Sequence, residues 1–284
     1  MSKLVYPDEN GRLICTPDEK GNIIPDFSHC GYMGGGVALP NVPVVATIDP
    51  SAEGDDTERI QTIIDYVSNQ DRDANGFRGA ILFKKGEYRI AETIRVESSG
   101  VVLRGEGNDE NGTRFIATGK GKRPLLVFTG KGRPKEIDGT RQSITDDYVP
   151  VGTRSFDIEN ASDFAVGDPI IVYRPSTAKW ISDLGMDRIK EKKGLRQWAP
   201  GTYDFHFDRT ITQIDGNRIT IDAPIGNAIE REYGGGSIYK YEYPGRIEQV
   251  GIEHIRGISE FDNSIPDKRR EGEFADEDHG WDFV

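Results

Sequence analysis

A chain of 284 residues, 35% hydrophobic and 30% charged, is long enough to bury one or two cores without covalent staples. Its net charge of −12 excludes a general nucleic-acid binder, which needs a basic face against phosphate, and disfavours a bare polyanion unless an Arg/Lys groove or a bridging cation intervenes. No apolar run approaches the roughly 18 residues of a spanning helix, so no membrane segment is expected, and Met1 to Tyr6 lacks the basic and apolar regions of a signal peptide.

The 34 glycines and 15 prolines are spread along the whole length, which predicts many short strands joined by turns. Tyr6-Pro7-Asp8-Glu9-Asn10-Gly11 is echoed by Thr16-Pro17-Asp18-Glu19-Lys20-Gly21, and each Pro-Asp-Glu-x-Gly block reads as a turn between short strands. Cys15 and Cys30 allow at most one disulfide, and a bond and two free thiols are equally compatible with the sequence. With Gly31, Gly34-Gly35-Gly36, Pro40 and Pro43 following, residues 1–45 read as an extended arm wrapped along the main body. The next segment predicts a helix with Asp55 as N-cap, Glu58 three residues on, and Ile60, Ile63, Ile64 and Val67 on one face.

Short apolar runs follow, among them Ala80-Ile81-Leu82-Phe83, Thr93-Ile94-Arg95-Val96, Val101-Val102-Leu103 and Leu125-Leu126-Val127-Phe128. Leu82, Leu103 and Leu126 are spaced by 21 and 23 residues, a period that suits one coil of a β-solenoid, so 46–137 are expected to form a cap and the first coils. Residues 138–245 break the rhythm and read as an inserted small β-domain, with strands at Ser155-Phe156-Asp157-Ile158, Pro169-Ile170-Ile171-Val172-Tyr173 and Thr210-Ile211-Thr212-Gln213-Ile214, and a hairpin turn at Asp215-Gly216-Asn217. The Lys190-Glu191-Lys192-Lys193 run reads as solvated surface. Solenoid-like spacing returns in 246–284, and because Asp282-Phe283-Val284 looks like the opening of another strand, the solenoid is expected to be C-terminally incomplete.

Gly54-Asp55-Asp56-Thr57-Glu58-Arg59-Ile60-Gln61, then Phe83-Lys84-Lys85-Gly86-Glu87-Tyr88, then Ser99-Gly100-Val101-Val102-Leu103-Arg104-Gly105-Glu106-Gly107, resembles the N-terminal signature of the pectate-lyase-like superfamily. Lys84 stands where a proline is commoner in that signature. The resemblance implies an all-β fold, a right-handed parallel β-helix with an N-terminal capping helix and an inserted β-domain as in some uncharacterised members. It also implies a carbohydrate polymer as partner. Superfamily members include polysaccharide lyases, glycoside hydrolases, epimerases and phage tailspikes, so the expected activity is β-elimination or hydrolysis of an acidic plant or algal polysaccharide, and the alternative is a non-catalytic glycan-binding or tailspike-like protein. Monomer and trimer remain open. A secreted or cell-surface location is expected, with cytoplasmic as the alternative.

Two groups of residues are candidates for the site. Asp276, Glu277, Asp278 and His279, with Asp262 nearby and Trp281 alongside, offer carboxylates and a histidine for acid/base work, a possible Ca²⁺ set at Asp276, Glu277 and Asp278, and a ring to stack on sugar. The competing reading is a solvated acidic loop. In the inserted block Trp180, Trp198, Tyr203, His206 and Arg209 offer a sugar platform, against a plain packing role in a small domain.

Overall fold

The computed structural model describes residues 2–190 and 194–284; Glu191, Lys192 and Lys193 of the charged run lie outside the described residues. The protein is mostly β with few helices, and it divides into two compact units, one of residues 1–39 and 134–243 and one of residues 40–133 and 244–284.

In the unit of 40–133 and 244–284 the described strand pairings are parallel. Val44–Ile48, Gly79–Phe83, Val101–Gly105 and Gly251–Glu253 lie side by side in that order, and Gly86–Ile90, Thr113–Ala117 and Ile255–Ser259 form a second ladder. Ile94–Val96 pairs with Leu126–Phe128, and Arg123–Pro124 with Gly280–Asp282. Parallel neighbours cannot be joined by a tight turn, and here the chain passes through the other ladders before returning to the first. The register sets Ile81 beside Leu103 and Leu103 beside Ile252, Tyr88 beside Phe115, and Ile94 beside Leu126. These side chains form one core with Ile60, Ile64 and Val67 of the helix Thr57–Ser68. At Gly257, opposite Phe115, an added Cβ would collide with the ring of Phe283, which fills that position of the interior.

The expected leucine period is out of phase with these ladders. Leu82 lies between the buried Ile81 and Phe83, opposite Arg104, while Leu126 stacks on Ile94 in a different ladder. Side chains in a strand alternate with period two, so a reading displaced by one residue exchanges the faces.

The helix also departs from its expected start. Its N-cap is Asp56, which makes no side-chain cap bond, and Asp55, Asp56, Thr57 and Gln61 are turned toward the edge of the strands Gly86–Ile90 and Ile94–Val96, each terminal in its ladder. The Asp56 amide donates to the Arg89 carbonyl at 2.7 Å, and the Arg89 amide donates to Asp56 Oδ2 at 3.2 Å. The Ala91 amide donates to Asp55 Oδ1 and Thr57 Oγ1, both at 3.0 Å. Gln61 closes a two-bond ring with Arg95, donating from Nε2 to the carbonyl and accepting the amide at Oε1, both at 3.0 Å. An open strand edge is a template for association; here polar side chains of a helix stand in for the missing strand. Burial alone would raise the Asp55 carboxyl, but the bonds from Thr57 and the Ala91 amide outweigh it and hold the group below the usual carboxylate range.

The other unit is built on an antiparallel sheet. Lys135–Glu136, Ser237–Glu242, Pro169–Arg174, Phe205–Asp215, Arg218–Ile221 and Ser155–Asp157 follow one another across it. The expected hairpin is present, but its central residues are Gly216 and Asn217, with Asp215 paired to Arg218; Gly216 supplies the positive φ of 59°. Ile170, Val172, Ile211, Ile219, Ile221 and Ile238 meet in the core.

Residues 1–39 belong to this unit. Asn22 Oδ1 accepts from the Tyr148 hydroxyl (2.8 Å) and the Val151 amide (2.9 Å), and Arg154 pairs with Asp26 at 2.9 Å. Both Pro-Asp-Glu-x-Gly blocks form the same turn. Asp8 Oδ1 accepts the amides of Asn10 and Arg12, and Asp18 Oδ1 those of Lys20 and Asn22, while Gly11 and Gly21 take φ of 78° and 85°. The first turn joins the antiparallel strands Val5–Pro7 and Leu13–Cys15. Cys15 and Cys30 are both free thiols.

Candidate functional site

The acidic loop near the C-terminal end gathers its residues, but their oxygens are spent on organising the loop. Asp276 accepts the Asp262 amide at Oδ2 (2.7 Å) and the Asp278 amide at Oδ1 (2.9 Å), and Asp262 Oδ1 accepts the amide and hydroxyl of Ser264. Asp278 Oδ1 accepts the Gly121 amide at 2.9 Å. Glu277 pairs with Lys122 at 2.6 Å, and the same ammonium lies 4.0 Å from the centre of the Trp281 ring, whose Nε1 donates to the Glu277 carbonyl. Bonds from Ser264 to Asp262, from the Asp262 and Asp278 amides to Asp276, and from Lys122 to Glu277 hold these three carboxyls below the usual range. A general acid for glycoside cleavage must keep its proton near neutral pH, and these three are tuned the other way. Among the described residues no group of three or more His, Cys, Asp or Glu side chains is arranged to hold a metal ion.

His279 is fixed by its neighbours. Its Nδ1 lies 2.7 Å from the Gly280 carbonyl and 2.9 Å from Ser259 Oγ, and Ser259 Oγ donates to that same carbonyl at 2.7 Å. A lone pair on Nδ1 would face the carbonyl oxygen, so the tautomer with hydrogen on Nδ1 is the one that satisfies all three contacts. An activating histidine must accept the proton of its nucleophile, and Nδ1 in this tautomer cannot do so for Ser259.

In the antiparallel unit the candidates separate. Trp180, on the helix Ala178–Asp183, lies 6.0 Å from Trp198, and Trp198 stacks on Tyr203 with ring centres 3.9 Å apart and an interplanar angle of 27°. Tyr203 retains 44% of its surface. Beneath Trp180 lies the guanidinium of Arg174, 4.4 Å from the ring centre, and Phe205 packs edge-on to the same indole. Arg174 continues the inward alternation of Ile170 and Val172 and is 1% exposed, so burial pushes its pKa down. Its fork donates to the carbonyls of Ala228 and Pro175.

The sequence grouped His206 and Arg209 with these rings; the structure does not. His206 packs on Tyr173 at 5.2 Å while its neighbours Phe205 and Phe207 stack on each other at 5.9 Å, as alternation along a strand requires. Arg209 lies over Phe207, and its fork is turned into the Ala223 and Pro224 carbonyls at 2.9 and 2.6 Å. Burial lowers its pKa.

Sequence reading missed Ser176 and Asp204. The Ser176 amide and hydroxyl both donate to Asp204 Oδ1 at 2.8 Å, and the Tyr173 hydroxyl donates to Oδ2 at 2.6 Å. Burial raises the Asp204 carboxyl, yet these three donors outweigh it and leave the group below the usual range; burial and the facing carboxylate push Tyr173 up to about 12.

No known family profile and no curated relative matches the chain. Among solved structures it is similar to the gp54 tailspike of Acinetobacter baumannii bacteriophage AP22, in complex with A. baumannii capsular saccharide, at 12% identity over 73% of this chain with a TM-score of 0.36. It is also similar to the gp61 tailspike of Pseudomonas phage phi297 (17% identity, 63% of this chain, TM-score 0.34) and the gp49 tailspike of Pseudomonas phage LKA1 (15%, 69%, 0.33). The chain spans between 24% and 29% of the length of these three proteins.

Proposed function

We propose that the chain forms a right-handed parallel β-helix carrying a small antiparallel domain that binds a saccharide through Trp180, Trp198 and Tyr203. Parallel ladders that recur in the same order support the β-helix, and the helix over the edge of Gly86–Ile90 and Ile94–Val96 supports its capping role. The observation that carries the binding role is the stack of Trp198 on Tyr203 with Tyr203 still exposed. Flat aromatic rings joined in a row offer apolar area at low entropic cost, with polar edges left for hydroxyl groups. The acidic loop lends less support to hydrolysis, because Asp262, Asp276 and Glu277 are held below the usual carboxylate range by their hydrogen bonds and ion pair, where a general acid is held above it. Display outside the cell belongs to the same reading.

The test is titration of the full chain with hexamers of glucose, galactose and galacturonic acid. Tyr203→Ala is expected to weaken binding of the preferred hexamer at least tenfold, about 1.4 kcal/mol, with an unchanged far-UV spectrum. Failure of the wild-type chain to bind any of them, or equal binding by the variant, removes the proposal.

A further inference from the structure

Ser176 is a polar residue with 1% of its surface exposed, and its hydroxyl is fully used. It donates to Asp204 Oδ1 at 2.8 Å and accepts the amides of Gly201 and Tyr203, both at 3.1 Å. The Ser176 carbonyl takes the Gly201 amide as well, at 3.0 Å. One buried side chain thus ties the end of the strand Pro169–Arg174 to the residues that enter the strand Phe205–Asp215, and one of its bonds is to the main chain of Tyr203 itself. The adjacent Thr177 caps the helix that carries Trp180. The backbones under two of the three rings are therefore set from neighbouring positions, 176 and 177.

We infer that Ser176, Asp204 and Tyr173 form a clasp that positions the Trp198–Tyr203 stack, so that saccharide affinity depends on a buried hydroxyl the ligand never touches; the inference rests on the binding role proposed above. Asp204 is the centre of the clasp, with one oxygen facing Ser176 and the other Tyr173. Loss of the Ser176 hydroxyl leaves the Tyr203 amide without its acceptor and takes from Asp204 Oδ1 one of its two donors, the Ser176 amide remaining, and the local chain relaxes to satisfy the freed amide. A ring that must be reordered at each encounter binds more weakly than one held in place.

Two readouts separate this inference from the reading it rests on. Near-UV circular dichroism reports the packing of the indole and phenol rings without any ligand, and titration with the preferred hexamer reports affinity. Ser176→Ala is expected to diminish the near-UV signal and raise Kd about tenfold with the far-UV spectrum intact. Tyr173→Phe, which removes one hydroxyl without changing the ring, is expected to give a smaller change in the same direction. An unchanged near-UV signal in both variants overturns the clasp even if the wild type binds. A wild-type chain that binds none of the hexamers overturns the ligand role, whereas the clasp is still judged by its spectrum.

Discussion

Asp56→Ala is expected to destabilise the unit of 40–133 and 244–284 by about 3 kcal/mol, the order lost when a buried charged hydrogen-bonding group is removed from its partners. Asp56 has no exposed surface, and Oδ2 accepts from both the Arg89 amide and the Ser51 hydroxyl, at 3.2 and 3.0 Å. Its Oδ1 lies 3.0 Å from Arg59 Nη2 without a well-aligned hydrogen bond, and the Arg59 side chain is 48% exposed. Arg59 can therefore turn to water, and most of the loss comes from the Arg89 amide, left facing a methyl group at the edge of its ladder. Urea unfolding followed by the fluorescence of Trp281, which belongs to this unit, with Trp180 and Trp198 replaced by phenylalanine in both the parent and the variant, measures the effect. A shift below about 1 kcal/mol would show that the helix is held by its apolar face alone.

Phe115→Ala should cost more, about 4 kcal/mol, because it removes a ring and leaves a cavity that a stacked core closes poorly. Phe83, Tyr88 and Phe115 are all fully buried and meet edge to face, with centres 4.9 to 5.6 Å apart. Tyr88 is anchored by its hydroxyl to the carbonyls of Ile48 and Lys84, at 2.8 and 2.9 Å, and burial raises its pKa, so it cannot slide to fill the space. The same urea experiment applies. Tyr88→Phe is the control that keeps the volume and loses the hydroxyl, and its expected cost is nearer 1 kcal/mol.

The sequence and the structure agree where the physics is local. The helix follows from the spacing of Ile60, Ile64 and Val67, and the turns at Asp8 and Asp18 follow from Asp and Gly at fixed offsets. What escaped was anything whose partner lies far along the chain. Asp55 reads only as a helix cap, and nothing in the sequence marks Thr57 or Gln61, until Ala91 and Arg95 are brought beside them. The leucine spacing misses the ladder at Leu82 because Ile81, Leu82 and Phe83 are all apolar, and period two gives no answer inside such a run. At the candidate site the aromatic residues stood out by type, but alternation in Phe205-His206-Phe207 already separates His206 from the rings. Arg174 was legible in the same way, as the third inward position after Ile170 and Val172. Ser176 carries no such signal, since a serine hydroxyl acquires its importance only through burial.

The order of the strands is tested most directly by disulfide cross-linking, with Cys15 and Cys30 first replaced by serine. In the ladder Gly86–Ile90, Thr113–Ala117, Ile255–Ser259, Glu87 is the register partner of Arg114 and Arg114 that of Arg256. Adjacent strands lie about 4.8 Å apart, within disulfide reach, and strands two apart lie roughly 10 Å away, beyond it. Cysteine pairs at 87 and 114, and at 114 and 256, are predicted to close readily under mild oxidation, while a pair at 87 and 256 stays open. Closure of the third pair, or failure of the first two, would contradict this order of the stacked strands.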